Sequence, residues 1–397
     1  MSKFDFPVFD GDHHLYETEE AFTRHLPREL KRLFQYINVG GRTKVAIRGV
    51  ISDYIPNPTF EVVARPGAHM DFYAGNNPEG KTMREMTGEP MRSVPAFRNP
   101  AARVELLDEL GIDAALIFPT LASLVEVNFL DAPALTQTML HAFNQWMLED
   151  WTFNYQDRLY PTPVVNPCVV ETAVKELDWL LDNGARVVLM RPGPVAGNPR
   201  TKSPYLPEFD PFWARVQESG VLVAMHASDS GYQRYLNDWE GGDLEYAPFK
   251  MSSFQTAAMD RRRAIQDNFL SAVCHGMLVR FPDVKILSVE NGGTRWVPDV
   301  LQSLEHAYQK MPQEFQEHPV ETFRRCVSVN PFWEDPIDEL TEQIGVDNIV
   351  FGSDYPHPEG LEEPLSYVER LKGVPDEDVR KIMGGNLNRL LGLSVPA

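Results

Sequence analysis

The chain has 397 residues, of which 43% are hydrophobic, 11% aromatic and 24% charged, the balance of a soluble globular protein. A formal net charge of −20 argues against nucleic acid and anionic membranes as partners, since both demand a basic surface, and leaves a small-molecule substrate as the expected partner. Three scattered cysteines, Cys168, Cys274 and Cys326, show no C-x-x-C spacing, which argues against a thiolate metal site or a disulfide framework.

The start, MSKFDFPVFDGD, lacks the apolar core of a signal peptide, and no apolar run approaches the roughly 18 residues of a membrane span. A cytoplasmic location is expected.

Chain order then shows short β-rich segments alternating with helical ones. FPVFDGD (6–12) is the first expected strand. Residues 31–98 interrupt the alternation: FQYINVGGRTKVAIRGV reads as a β-hairpin around Gly40-Gly41, and the stretch after it is loop-rich. An insertion at this place emerges where barrel enzymes keep their sites, so it is expected to be a lid or a dimerisation arm.

AARVELLDELG (101–111) spaces Val104, Leu107 and Leu110 as one helical face and ends on glycine; DAALIFPT (113–120) is the second strand. A long helix over 134–153 precedes YPTPVVN (160–166), and a helix over 171–184 precedes ARVVLMRPG (185–193). VLVAMHAS (221–228), VKILSVENG (284–292), RCVSVNP (325–331) and NIVFGSD (348–354) complete eight strands. Each is rich in Val, Ile, Leu or Phe and closes on a polar or turn residue, as buried parallel strands do. The pattern predicts an α/β fold, a (β/α)₈ TIM barrel in a single domain with the 31–98 insertion after strand one. An open doubly wound sheet is the alternative, but no GxGxxG follows the first strand.

In such a barrel the reacting groups stand at the C-terminal ends of the strands. Strand one ends in Asp10, Asp12, His13, His14 and Glu17, strand five in His226, strand six in Glu290, and strand eight in Asp354 followed by His357. Side chains alternate along a strand, so Asp10, Asp12 and His14 share a face and His13 points away. Asp12 and His14, two residues apart, can therefore close on one ion. Imidazole and carboxylate suit Zn²⁺, Fe²⁺ or Mn²⁺.

The segments FDGDHHLYE (9–17), RVELLDELGIDAALIFPT (103–120), VLVAMHASDSG (221–231), HGMLVRFPDVKILSVENGGTRWVP (275–298) and IVFGSDYPHPEG (349–360) together resemble the metal-dependent amidohydrolase superfamily. Within it they resemble the branch that includes the aminocarboxymuconate-semialdehyde and dihydroxybenzoate-type decarboxylases. The resemblance implies metal ligands at Asp12, His14, His226 and Asp354, with Glu290, Glu17 and His275 as further candidates. It implies one divalent ion, with two conceivable, and a homodimer.

Two departures bear on mechanism. Asp12 stands where many relatives have histidine, and Glu290 stands where the decarboxylases keep a catalytic histidine. Without that histidine, proton delivery to carbon has no evident donor. The expectation is therefore hydrolysis of an amide, ester or thioester by metal-activated water, with Asp354, Glu290 and His226 doing the chemistry. Decarboxylation of an aromatic or unsaturated acid is the alternative, and a non-catalytic binding barrel a further one. Arg191, Asn330, His357, Arg48 and Arg42 are candidates for gripping substrate, while Asn144 and Trp146 are expected to pack.

Overall fold

In the computed structural model, which describes residues 4–52, 54–241, 252–258 and 262–393, β1 spans Phe9–Leu15 and is buried along its whole length. β2 (Phe34–Val39), β3 (Arg42–Ile47) and β4 (Val50–Ser52) form a small antiparallel sheet in that order. Val39 faces Arg42 across Gly40 and Gly41, whose φ values of 58° and 81° are those a two-residue hairpin turn takes from glycine. β5 (Val62–Val63) pairs with β6 (Met91–Arg92) farther along.

The main strands follow: β7 (Ala114–Pro119), β8 (Leu159–Pro161), β9 (Val187–Met190), β10 (Leu222–His226), β11 (Ile286–Val289) and β12 (Val327–Val329). Every residue in them is buried, as strands covered on both faces must be. They pair in parallel as β1-β7-β8 and β9-β10-β11-β12. Helices such as Pro133–Asp150, Val170–Asp182 and Asp210–Ser219 connect them, and Trp146, Trp151, Trp213 and Trp296 are wholly buried.

Two of the expected strands are shorter than their sequences suggest. Pro161 and Pro163 lack the N–H a ladder needs, so the third stops at Pro161 and resumes as a single bridge, Val164 to Leu189, that links the two sheets. The eighth, 348–354, is not a continuous strand. It is held by bridges from Ile349 to Val329 and from Tyr355 to His13, while Phe351 turns its N–H to Ile382. The Gly11 and His14 N–H groups donate to the Phe351 and Tyr355 carbonyls, and the Asp354 N–H donates to the Asp12 carbonyl, so β1 is stitched directly to this segment.

The helix Pro100–Leu110 begins at Asn99, whose side chain accepts the Ala102 N–H, and ends at Gly111 with φ 77°. Its buried residues are Leu107 and, contrary to an all-apolar stripe, Arg103. No helix among the described residues is long and apolar enough to cross a membrane. The three cysteines are free.

Candidate metal centre

The strand ends bring five side chains together. His14 Nε2 lies 3.1 Å from His226 Nε2, 3.4 Å from Asp12 Oδ1 and 3.4 Å from Asp354 Oδ1. His226 Nε2 is 3.5 Å from Asp12 Oδ1 and 3.3 Å from Glu290 Oε2. All five residues are buried. The His226 Nδ1 stands 2.7 Å from the Ala227 carbonyl and so carries the proton, which leaves a lone pair on Nε2 facing the cluster.

This donor set fits a divalent cation. Two imidazole nitrogens at 3.1 Å, ringed by buried carboxylate oxygens of which Asp12 Oδ1 has no hydrogen-bond partner, are what an ion would satisfy. The candidate ligand groups overlap at His14: Asp12, His14 and His226 on one side, and His14, Glu290, Asp354 and His357 on the other. Burial raises the Asp12 pKa, but the neighbouring imidazoles of His14 and His226 outweigh it and hold the group well below the usual carboxylate range. His14 is held well below its ordinary value by burial, and by the neighbouring His357.

Local backbone aims these groups. Glu290 and Asp354 both sit in the left-handed region, with φ 53° and 57°, a conformation that costs energy in non-glycine residues and concentrates at functional sites. Gly352 is required by close approach: a Cβ there would stand 2.5 Å from Asn330 Nδ2 and 2.6 Å from Asp12 Cβ. Phe118 closes the inner wall, its ring 4.8 Å from that of His226.

His357 joins the cluster more closely than its loop position suggests. Its Nδ1 is 2.8 Å from Asp354 Oδ1, its Nε2 is 3.1 Å from Thr120 Oγ1, and its ring stacks on His14 at 3.8 Å. The insertion lies against the same loop, with the Gly67 and His69 N–H groups donating to the His357 and Pro358 carbonyls.

The other candidates are placed differently. Glu17 stands outside both ligand groups: its Oε1 accepts the Leu121 and Ala122 N–H groups, and burial raises its pKa to about 7. His275 is exposed beside Ser271 and Ser203, outside both ligand groups. Arg48 donates to Asp131 and to the Asn128 carbonyl, which ties the end of the hairpin to that loop. Arg191 turns its guanidinium to the Ser230 and Pro194 carbonyls, and the Asn330 amide donates to the Val350 carbonyl at 3.2 Å. Arg48 and Asn330 thus turn donors to an aspartate or to backbone carbonyls, whereas Arg191 keeps a buried Nε with no hydrogen-bond partner. Asn144 does pack: it pairs with both the N–H and the carbonyl of Val164.

Asp10 departs from the simple alternation of side chains along β1. The register of β1 against β7 shifts between Asp10 and His13, a bulge that takes Asp10 off the face of Asp12 and His14. Asp10 Oδ1 instead accepts the Asp12 and Ser353 N–H groups, and Oδ2 lies 3.1 Å from His13 Nε2, off the line a good hydrogen bond needs. Arg103, hidden within an apolar helical stripe, was not legible as part of this region: it donates to the His14 carbonyl at 2.7 Å and to His13 Nδ1 at 3.2 Å.

Parallel β/α units with a histidine–carboxylate cluster at their strand ends define a metal-dependent enzyme scaffold. A family profile described as Amidohydrolase matches residues 9–393, and the chain belongs to that family. The crystal structure of an amidohydrolase from Mycobacterium avium subsp. paratuberculosis K-10 is 38% identical, with a TM-score of 0.92 over 98% of this chain and 100% of that one. Likeness at this level implies a TIM barrel. A dihydroxybenzoic acid decarboxylase from Polaromonas sp. JS666, solved with bound manganese and 2-nitroresorcinol, shares the fold at 18% identity, with a TM-score of 0.57 over 82% of this chain and 93% of that one. A Dictyostelium discoideum 2-amino-3-carboxymuconate-6-semialdehyde decarboxylase is 27% identical over 139 residues, which span 31% of this chain and only 35% of that curated relative.

Proposed function

We propose that this protein is a metal-dependent, non-oxidative decarboxylase of an aromatic or otherwise unsaturated carboxylic acid, on a (β/α)₈ barrel whose 31–98 insertion covers the mouth. The observation that carries it is the contact between His357 Nδ1 and Asp354 Oδ1 at 2.8 Å. The expectation of hydrolysis rested on the lack of a proton donor, and this pair supplies one.

The protonation follows from the partners. The Thr120 hydroxyl donates to the Leu15 carbonyl at 2.9 Å, so it offers a lone pair to His357 Nε2, which must carry a hydrogen. Nδ1 then faces a carboxylate oxygen, and the two cannot share 2.8 Å unless a proton lies between them. The Asp354–His357 pair therefore stores one proton.

Asp12, His14, His226 and Asp354 would hold the cation, which when bound supplies a Lewis acid for the substrate carboxylate and a neighbouring oxygen. The bond between the substrate carbon and its carboxylate breaks with the electron pair left on carbon. The proton held by His357 and Asp354 moves to that carbon, CO₂ leaves, and solvent restores the proton. The decarboxylase relatives support the same reading.

Hydrolysis is the second reading, favoured by Glu290, whose Oε2 lies 3.3 Å from His226 Nε2 where a general base would serve. The deciding experiment loads the protein with Mn²⁺ or Zn²⁺ and offers panels of aromatic and unsaturated acids, esters and thioesters. CO₂ release, with one solvent deuterium entering the product carbon in D₂O, is expected. Ester or thioester cleavage without CO₂ would reverse the order of the two readings.

A further inference from the structure

Two buried side chains that touch no ligand atom tie together the backbones carrying the ligands. Asp10 is wholly buried and its Oδ1 accepts the Asp12 N–H at 3.0 Å and the Ser353 N–H at 2.9 Å. One oxygen thus joins the backbone of Asp12 to the residue preceding Asp354. Asn291, also buried, donates its amide to the Met225 carbonyl at 3.1 Å and the Val289 carbonyl at 2.7 Å. Those residues immediately precede His226 and Glu290. Both amide hydrogens are committed to carbonyls on two neighbouring strands.

A second buried row runs beside Asp10. Arg103 only donates, so His13 Nδ1 accepts from it at 3.2 Å, and the His13 proton sits on Nε2, which faces Asp10 Oδ2 at 3.1 Å. Arg103 also holds the carbonyl of His14. The row from Arg103 through His13 to Asp10 is buried throughout.

We propose that Asp10 and Asn291 are positioning residues that set the spacing of Asp12 from Asp354 and of His226 from the neighbouring Glu290, and through it the metal affinity of the centre. This rests on the reading of Asp12, His14, His226 and Asp354 as metal ligands. A metal site gains its affinity from ligands held in place before the ion arrives, and outer partners that hold them are worth roughly 10- to 100-fold in binding. Strand ends released from a clamp keep their ligands but lose their separation.

The test compares wild type with Asp10→Ala, Asn291→Ala and the isosteric Asn291→Asp, which points a carboxylate oxygen at two carbonyls. Asn386→Ala is the control: that buried amide also bridges two carbonyls, of Val346 and Ile349, but next to no ligand. Metal-stripped proteins are titrated with Mn²⁺ and Zn²⁺ against a chelating indicator, the Mn²⁺ electron paramagnetic resonance spectrum reports geometry, and melting curves report stability. The clamp variants are expected to bind about 10-fold or more weakly, with a broadened spectrum. Asn386→Ala is expected to melt earlier yet bind like wild type. Clamp variants that bind as tightly as the control overturn the inference, whereas a wild type that binds neither ion overturns the metal reading itself. Should Asp10→Ala not fold, the two Asn291 variants decide.

Discussion

His357 lies with its Nδ1 2.8 Å from Asp354 Oδ1 and its ring stacked on His14 at 3.8 Å, so one imidazole touches two of the four expected metal ligands. Neither contact follows from sequence distance, because His14 and His357 meet only where β1 is stitched to the segment ending in Asp354.

Replacing His357 with Gln keeps the size of the side chain and removes a group able to pass a proton. We expect kcat for CO₂ release to fall by about 100-fold or more, with metal content unchanged. Wild-type turnover in this variant would remove His357 from the chemistry.

Metal binding should show in stability as well as in activity. At roughly a thousandfold excess of Mn²⁺ over its Kd, the folded state gains about 4 kcal/mol, seen as a raised melting temperature that EDTA reverses. His226→Ala and Asp12→Ala should lose most of that shift. Identical melting of stripped and loaded wild type would count against the centre.

Glu17 predicts a pH dependence. Burial lifts its carboxyl from 4.5 to about 7 in the folded protein, so the folded state binds the proton more tightly than the unfolded chain. Stability from this group is fully present below the unfolded value and is lost as pH rises through about 7. The shift corresponds to about 3 kcal/mol. Glu17→Gln keeps an oxygen for the Leu121 and Ala122 N–H groups and cannot ionise, so its metal-free form should lose less stability than wild type between pH 5 and pH 8. Equal slopes in denaturant titrations across that range would refute this.

Arg103→Met retains an apolar stem but abandons the carbonyls of Ala96 and His14, both now held by its guanidinium. Buried unpaired carbonyls make a loss of about 3 kcal/mol the expected result in urea unfolding of the metal-free protein. A loss under about 0.5 kcal/mol would mean that other donors replace the arginine.

Much of the architecture was legible because its physical cause is local. Buried parallel strands must be apolar along their length, and the turns after them must be polar, so β1, β7, β9, β10, β11 and β12 announce themselves and Asp12, His14, His226, Glu290 and Asp354 stand out at their ends. The hairpin turn at Gly40-Gly41 is equally local, since only the backbone of two residues decides it. The surroundings of Glu17, His275, Arg48, Arg191 and Asn330 lay beyond the sequence for a common reason. A polar side chain shows its chemistry in the sequence but not its partners, and here backbone groups, serines or a surface aspartate claim it.

The amino-acid sequence by itself determined the order of strands and helices, the family, and which chemically able residues stand at strand ends. These follow from burial period and residue type, which act over a few positions. Only the tertiary structure decided that a bulge diverts Asp10 from the cluster to clamp Asp12 to Ser353, that Arg103 crosses from a helix to hold His14, and that His357 meets Asp354 at hydrogen-bond distance. Those are contacts between residues as much as 343 positions apart, set by ångström-scale register and by competition for hydrogen-bond partners in a water-free interior.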